Sequence, residues 1–570
     1  MWRSSKYLFA HFAVFIPKKC ADKTMTQIQL YDTTLRDGAQ QEGISFSVSD
    51  KLKVAQEIDG LGIHYIEGGW PGANPKDSQF FTKVQSVSFT NAILCSFGST
   101  RRPHTKAEDD PNLRTLINTG TPVVTLVGKA WDQQVVRVLE TTHEENLKMI
   151  ADSIRHLKLN KRTVFFDAEH FFDGYKSDAK YAISTLERAV QAGVDCIVLC
   201  DTNGGALPDE IAKAVDAVRK KITVPIGIHA HNDTELAVAN TLAAVQAGAT
   251  QIQGTINGFG ERCGNANLCS IIPTIQLKLG INLLSQEQLA KLTEISRYVS
   301  ELANLSPNTH QPYTGTNAFT HKAGMHVSGI TKWEESYQHI DPTLVGNRRG
   351  VLVSELSGAS NIVYKAKERG LDISLEGDKA RQIADQIKSL ESRGFQYEGA
   401  EASFELLVLR AQPDYSYPFE LVDFMVIVER RRRSPSIGQS ANSGISATCI
   451  GNEELLSEAT VKVKVNNEVV HTVSEGNGPV NALDNALRKA LVQFYPGVAQ
   501  VQLVDYKVRI LEETAGTESQ VRVLIESSDG QQQWRTVGSS TNIIEASWLA
   551  LADGLEYWMA RRQTNSTAVN

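Results

Sequence analysis

The sequence predicts an α/β protein: a (β/α)8 TIM barrel, then a helical linker subdomain, then a C-terminal α+β module. Three observations carry this. Eight short apolar runs rich in β-branched and aromatic residues recur up to about residue 256. Helix-period stretches separate them. The rhythm then breaks, first into a mixed region and later into a second set of strands and helices. A chain of 570 residues has room for more than one domain.

The eight runs are 27–31, 63–67, 92–97, 123–127, 164–168, 196–200, 226–231 and 252–256. Helical periodicity fills 51–61, 142–157, 180–192, 210–221 and 235–247. Gly62, Gly193 and Gly248 close three of these stretches, as helix-terminating glycines do. Eight strand–helix units in about 230 residues fit a closed parallel barrel better than an open sheet. We place this barrel at 26–295 and a linker at 296–420, part helical and part loop-rich around His310, His321 and His326. The run 430–433, with Ser434, Pro435 and small polar residues to about 446, reads as an exposed loop. The C-terminal module covers 421–562, with strands at 458–465, 501–511 and 520–526 and helices at 481–494 and 545–562. A tail follows at 563–570. No repeat is visible beyond the barrel's own.

Residues 1–25 form an N-terminal extension. Arg3, Lys6, the apolar run 7–16, Lys18 and Lys19 resemble a weak targeting segment. The run is too short to span a bilayer, and no clean small-residue cleavage site follows. Met25 precedes the first strand, so an upstream-start artefact stands level with a real targeting segment, and a disordered tail is the plain physical alternative. A cytoplasmic protein with no membrane partner is the expectation, with organelle targeting left to those 25 residues. A net charge of −7 excludes the basic footprint of nucleic-acid binding. The seven cysteines (Cys20, Cys95, Cys196, Cys200, Cys263, Cys269 and Cys449) contain no CxxC, which argues against a disulfide framework. Cys196 and Cys200 flank an apolar run and read as packing residues.

Polar residues cluster where a barrel needs them. Strand 1 runs into Asp32 and Asp37, strand 2 ends at Glu67, strand 5 at Asp167, Glu169 and His170, and strand 6 at Asp201, Thr202 and Asn203. Strand 7 carries His229 and His231, and strand 8 ends at Asn257. All belong to the C-terminal rim. Residues i and i+2 of a strand share a face, so both imidazoles enter the barrel mouth. Two imidazoles and the Asp37 carboxylate suit a divalent cation with open positions, Mg2+ or Mn2+. Such a cation would chelate and polarise a 2-oxo acid. Arg36 would stabilise the developing oxyanion, or serve only as a salt-bridge partner. Glu169 would remove a proton from a thioester methyl if burial raises its pKa, or remain a solvated rim carboxylate. Gly258, Gly260 and Gly264 do not fit a dinucleotide fingerprint, but their amides could cradle CoA or a carboxylate.

Three motifs carry a resemblance. Leu35-Arg36-Asp37-Gly38-Ala39-Gln40 followed by Lys51 resembles the first signature of the isopropylmalate/homocitrate/citramalate synthase family. Ile226-x-x-His229-x-His231-Asn232-Asp233 resembles the second. Asn257-Gly258-Phe259-Gly260-Glu261-Arg262-Cys263-Gly264-Asn265 resembles the third, and Gly476-Asn477-Gly478-Pro479-Val480-Asn481-Ala482 the regulatory domain. The resemblance spans about residues 26–562. It implies metal ligands Asp37, His229, His231 and Asn265, a catalytic Arg36, a catalytic carboxylate Glu169, and Thr202 on the oxo-acid carboxylate. It implies that His326 and Tyr337 reach over the site, usually from the partner chain, whereas His321 reads as structural. The second signature usually has Gly where this chain has Glu235. With the stretches around Asp37 and Glu67, that departure resembles the citramalate-synthase branch. The branch implies pyruvate and acetyl-CoA as substrates, free CoA as product, isoleucine as effector and a homodimer. The nearest alternative is 2-isopropylmalate synthesis from 2-oxoisovalerate. A non-catalytic sensor on a degenerate barrel is the remote one, and it would be expected to lose Arg36, Asp37 or a histidine.

Overall fold

The computed structural model describes residues 28–354, 357–371, 377–432, 453–511 and 518–567. The expectations for residues 1–25, for Cys20 and Cys449, and for the loop from 433 to about 446 lie outside them. Two compact units are present: residues up to 318 with 342–348, and 319–341 with 349 onward.

Eight parallel strands close the first unit into a barrel in sequence order: β1 (Gln29–Asp32), β2 (Tyr65–Glu67), β3 (Ile93–Ser99), β4 (Val123–Lys129), β5 (Thr163–Glu169), β6 (Cys196–Asp201), β7 (Ile226–Ala230) and β8 (Gln251–Gly254). Both faces of each strand are covered, which is why the sequence shows apolar runs rather than alternation. Tyr31, Cys95, Val123, Phe165, Cys196, Val198 and Cys200 fill the interior. Val124, Leu126, Val164, Phe166, Ile197, Leu199, Ile226 and Ile228 point outward, onto helix residues such as Ile150, Leu186 and Val215. Cys196 and Cys200 are thus packing residues, and no cysteine among the described residues is bridged.

The helix Val48–Leu61 starts at a capping box on Ser47 and stops at Gly62, whose φ of 94° is left-handed; Gly193 ends Ala179–Ala192 likewise. The second signature closes earlier than expected. β7 stops at Ala230, and His231 makes an isolated bridge to Asn265 instead. Glu235, at the position where the family usually has Gly, has φ 62°. Glycine adopts that conformation without strain, and Glu does so only under constraint from its surroundings.

The second unit contains short paired strands β9 (Thr320–His321) and β10 (Gly350–Val351). The stretch around His326, read from sequence as loop, is the helix Gly324–Lys332. Two antiparallel sheets follow: β11 (Glu420–Arg432), β12 (Glu453–Val465) and β13 (Glu468–Gly476), then β14 (Gln502–Ile510), β15 (Val521–Ser528) and β16 (Gln533–Ser540). Each is followed by a helix, Pro479–Leu491 and Ile543–Thr567. Val461, Val463, Leu483 and Leu487 share one core with Val523, Ile525, Trp548 and Leu551.

Three expectations are corrected here. A β-β-β-α unit occurs twice in succession although no repeat is legible in the residues. The architecture needs only inward apolar positions, which many sequences supply. Arg430, Arg431 and Arg432 continue β11, paired with Leu455, Glu454 and Glu453, rather than forming a loop. β11 is an edge strand, where charge is tolerated. The last helix runs through Thr567, so no tail begins at 563.

Candidate active site

The turn after β1 is built by Asp32. Its carboxylate accepts from Thr34 N at 2.9 Å and Thr34 Oγ1 at 2.8 Å. Burial, outweighing those bonds, pushes its pKa up to about 7. This turn delivers Arg36 and Asp37 to the barrel mouth. Arg36 Nε donates to Glu67 Oε1 at 2.6 Å, and its guanidinium lies 3.9 Å over the Phe97 ring. Tyr31 fixes the other Glu67 oxygen at 2.6 Å. Burial disfavours the arginine's charge, but Glu67 and Asp37 override it and hold the guanidinium firmly protonated.

Asp37, His229 and His231 converge. Asp37 Oδ2 lies 3.3 Å from His229 Nε2 and 3.8 Å from His231 Nε2. The two Nε2 atoms are 3.1 Å apart. All three residues are buried, and the three ligand atoms lie within 4.8 Å of one another. Burial would raise the Asp37 pKa; Arg36 and His229 instead hold it far below the ordinary carboxylate range. Burial would likewise lower His229, but its bond to Asp37 raises it. His231 is pushed down to about 3 by burial and the neighbouring His229.

Asn265 is joined to His231 by an isolated backbone bridge. Its Nδ2 donates to Phe259 O at 3.1 Å, while its buried Oδ1 has no hydrogen-bond partner among the described residues. A buried acceptor normally finds a donor. Two imidazoles and a carboxylate so close together could hold a divalent cation, and an orphaned amide oxygen on the residue bridged to His231 is a fourth oxygen donor of the kind such a cation takes.

The loop glycines have another job than the one expected. The amides of Gly258, Gly260 and Gly264 are spent on Thr255 O, Gln41 Oε1 and Glu261 O, so no cradle for CoA is left. A Cβ on Gly260 would sit 2.2 Å from Asn265 Nδ2, and one on Gly264 2.1 Å from Gly258 O. These glycines let the loop wrap around Asn265.

A cavity of about 210 Å³ contains Arg36, Asp37, Glu169, Thr202, His229 and His231 together. Thr202 Oγ1 accepts from His170 N at 2.8 Å, which leaves its proton to donate. Glu169 is not sealed in apolar surroundings as the proton-abstraction expectation required. Its side chain is 24% exposed and ion-paired with Lys129, its register partner on β4. Gln40, Trp70, Phe97, Val127 and Cys200 also line the cavity, and nothing in the residues alone singled them out. Gln253 was missed too. Its only sequence signal is the alternation of Gln251 and Gln253 on one face of a short strand inside the barrel. Arg36, Gln40 and Trp70 also line a second cavity of about 590 Å³, walled by Leu35, Ile44, Phe46 and Lys76. Arg262, an exposed rim residue, donates to His231 Nδ1 at 3.0 Å and pairs with Asp233. His326 and Tyr337 belong to the second unit, where their rings stack at 4.4 Å.

Three family models match the chain: HMGL-like over residues 27–299, homocitrate synthase post-HMGL domain-like over 313–394, and the LeuA allosteric (dimerisation) domain over 400–559. The (R)-citramalate synthase of Geobacter sulfurreducens is 53% identical over 533 residues, covering 94% of this chain and 98% of that protein. That of Aquifex aeolicus is 51% identical over 532 residues, covering 93% and 97%. The 2-isopropylmalate synthase of Methanocaldococcus jannaschii is 28% identical over 540 residues, covering 94% and 96%.

Proposed function

The chain belongs to the (R)-citramalate synthase family, and from that premise we propose how its barrel mouth condenses acetyl-CoA with pyruvate. Asp37, His229, His231 and Asn265 would hold Mg2+ or Mn2+; the orphaned Asn265 Oδ1 is the observation that carries this reading. When bound, the cation supplies Lewis-acid polarisation of the pyruvate keto group.

The chain's own groups do the rest. Thr202 donates its hydroxyl proton to the pyruvate carboxylate. Glu169 reaches this cavity without the burial expected from the sequence; it takes a proton from the acetyl methyl as a rim carboxylate paired with Lys129, and the resulting carbon attacks the keto carbon to form the new carbon–carbon bond. Arg36, held rigid by Glu67 and Phe97, donates N–H to the alkoxide that develops. Water then cleaves the thioester, releasing citramalate and CoA thiol. His326 and Tyr337 reach over this site from a partner chain. We assign the 590 Å³ cavity to acetyl-CoA because it shares Arg36, Gln40 and Trp70 with the first. Its apolar wall suits a pantetheine arm, and Lys76 suits a phosphate.

We read three functional parts: a catalytic barrel at 26–295, a linker at 296–420, and a regulatory and dimerising part from 421. The match of 400–559 to an allosteric dimerisation domain supports a homodimer regulated by a small molecule. Exposed Met425, Ile427 and Val473 on the outer sheet face support a partner surface. Isoleucine, the end product of the pyruvate route, is the effector. Synthesis belongs in the cytosol, in keeping with a chain that has few cysteines; no helix among the described residues is long and apolar enough to cross a membrane.

The test is thiol release from acetyl-CoA with pyruvate, using protein stripped of metal and then given Mg2+ or Mn2+, with and without isoleucine. Turnover that returns with the cation, falls with isoleucine and yields citramalate is expected. Full turnover in chelator removes the metal reading, and turnover indifferent to isoleucine removes that effector.

A further inference from the structure

β8 places two glutamines, Gln251 and Gln253, inside the barrel, and both are fully buried. Strand register sets Gln253 directly beside His229. His229 Nδ1 lies 2.9 Å from Gln253 Oε1, and Gln253 Nε2 donates to Asp167 Oδ1 at 3.1 Å. Asp167, from β5, is also buried.

The chemistry of these three groups is directional. The structure turns the NH2 end of the amide to Asp167, whose Oδ1 accepts from it. The carbonyl end is then turned to His229. A carbonyl oxygen only accepts as well, so the imidazole nitrogen facing it must carry the proton. That keeps a proton on Nδ1, so the nitrogen that must give up its proton when a cation enters is Nε2, which faces Asp37 and His231 Nε2. The wrong tautomer would present N–H at the place where a ligand must present a lone pair.

We propose that Gln253 and Asp167 are positioning residues that hold His229 in its metal-binding tautomer through an Asp167–Gln253–His229 relay. The inference rests on the metal reading above and deepens it. His231 has no such relay; its Nδ1 faces Arg262 from the solvent side. The two ligands therefore differ: His229 is set by the buried core and His231 by the rim.

The experiment uses the full chain stripped of metal. Mn2+ is titrated and free ion is read by electron paramagnetic resonance. Gln253→Met keeps the shape and removes both hydrogen bonds, and Asp167→Asn keeps the shape and removes the preference for one amide orientation. Loss of a ligand's outer partner typically weakens metal binding about 10–100-fold, and that loss is expected for Gln253→Met, with a smaller one for Asp167→Asn. Imidazole 15N spectra of the metal-free protein supply a readout that a packing role would not move. At a pH where the ring is neutral, His229 should be Nδ1-protonated in the parent and a mixture of tautomers in Gln253→Met. Mn2+ affinity within twofold of the parent in a folded Gln253→Met overturns the relay and leaves the metal site standing. If Gln253→Met does not fold, Asp167→Asn decides on the same criterion. A parent chain that binds no Mn2+ overturns both.

Discussion

Gly260→Ala is the smallest change that should disable the metal centre. The added carbon would sit 2.2 Å from Asn265 Nδ2, where ordinary contact begins at 3.4 Å. The amide must therefore retreat by about 3.4 − 2.2 = 1.2 Å. That retreat breaks its bond to Phe259 O, now 3.1 Å, and carries Oδ1 off its line. A misplacement near 1 Å in a reacting constellation costs about 10²-fold in rate, and a lost ligand lowers metal affinity as well. Gly260 has no left-handed φ, so alanine strains nothing else. Gly60→Ala is the control. Nothing lies within 4 Å of its Cβ, and it sits inside the helix Val48–Leu61. It should melt slightly higher, by about 0.5–1 kcal/mol. Mn2+ titration, kcat, and KM for each substrate are the assays. Refutation is specific: unchanged Mn2+ affinity with a raised KM for acetyl-CoA would return the loop to a CoA cradle.

Glu67→Gln keeps the shape beside Arg36 but removes the charge at the 2.6 Å contact; kcat should fall by about 10–100-fold with Mn2+ affinity little changed, and unchanged kcat would remove Glu67 from the account. Arg262→Gln should bind Mn2+ as well as the parent or up to about fivefold tighter, the worth of roughly one hydrogen bond. A histidine ligating through Nε2 carries its proton on Nδ1, so the Arg262 contact must break on loading; weaker binding in the variant would contradict this. The pH dependence has a fixed sign. His229 is raised above 6.5 and His231 is pushed down to about 3. A proton must leave His229 for the metal to enter, so affinity should fall as pH drops through the raised value. The slope should be one proton, about tenfold per pH unit, down to the region of pH 3; a two-proton slope near neutrality would refute the inequality.

The barrel was legible because strands buried on both faces leave apolar runs, and because rim chemistry lies at strand ends. Asp37, His229 and His231 could be grouped from that alone. Other features depend on information the residues do not carry singly. The partnership of Gln253 with His229 follows from β7–β8 register, and its bond to Asp167 spans 86 residues. The role of the loop glycines follows from how tightly the backbone turns around Asn265. That Glu67 and Phe97 are what hold Arg36 follows from the packing of β2 and β3 beside β1. In the second unit, β11, β13 and β16 were not anticipated. β13 carries polar residues among its valines, and β11 ends in three arginines that read as a loop.

The central claim is that two imidazoles two residues apart share one cation with Asp37 and Asn265. Pulsed electron paramagnetic resonance of the Mn2+-loaded chain measures it directly, through couplings to directly bound 14N. Two imidazole couplings are predicted, one lost in His229→Ala and the other in His231→Ala. A loaded chain with no 14N coupling, or one whose couplings survive both substitutions, would contradict it.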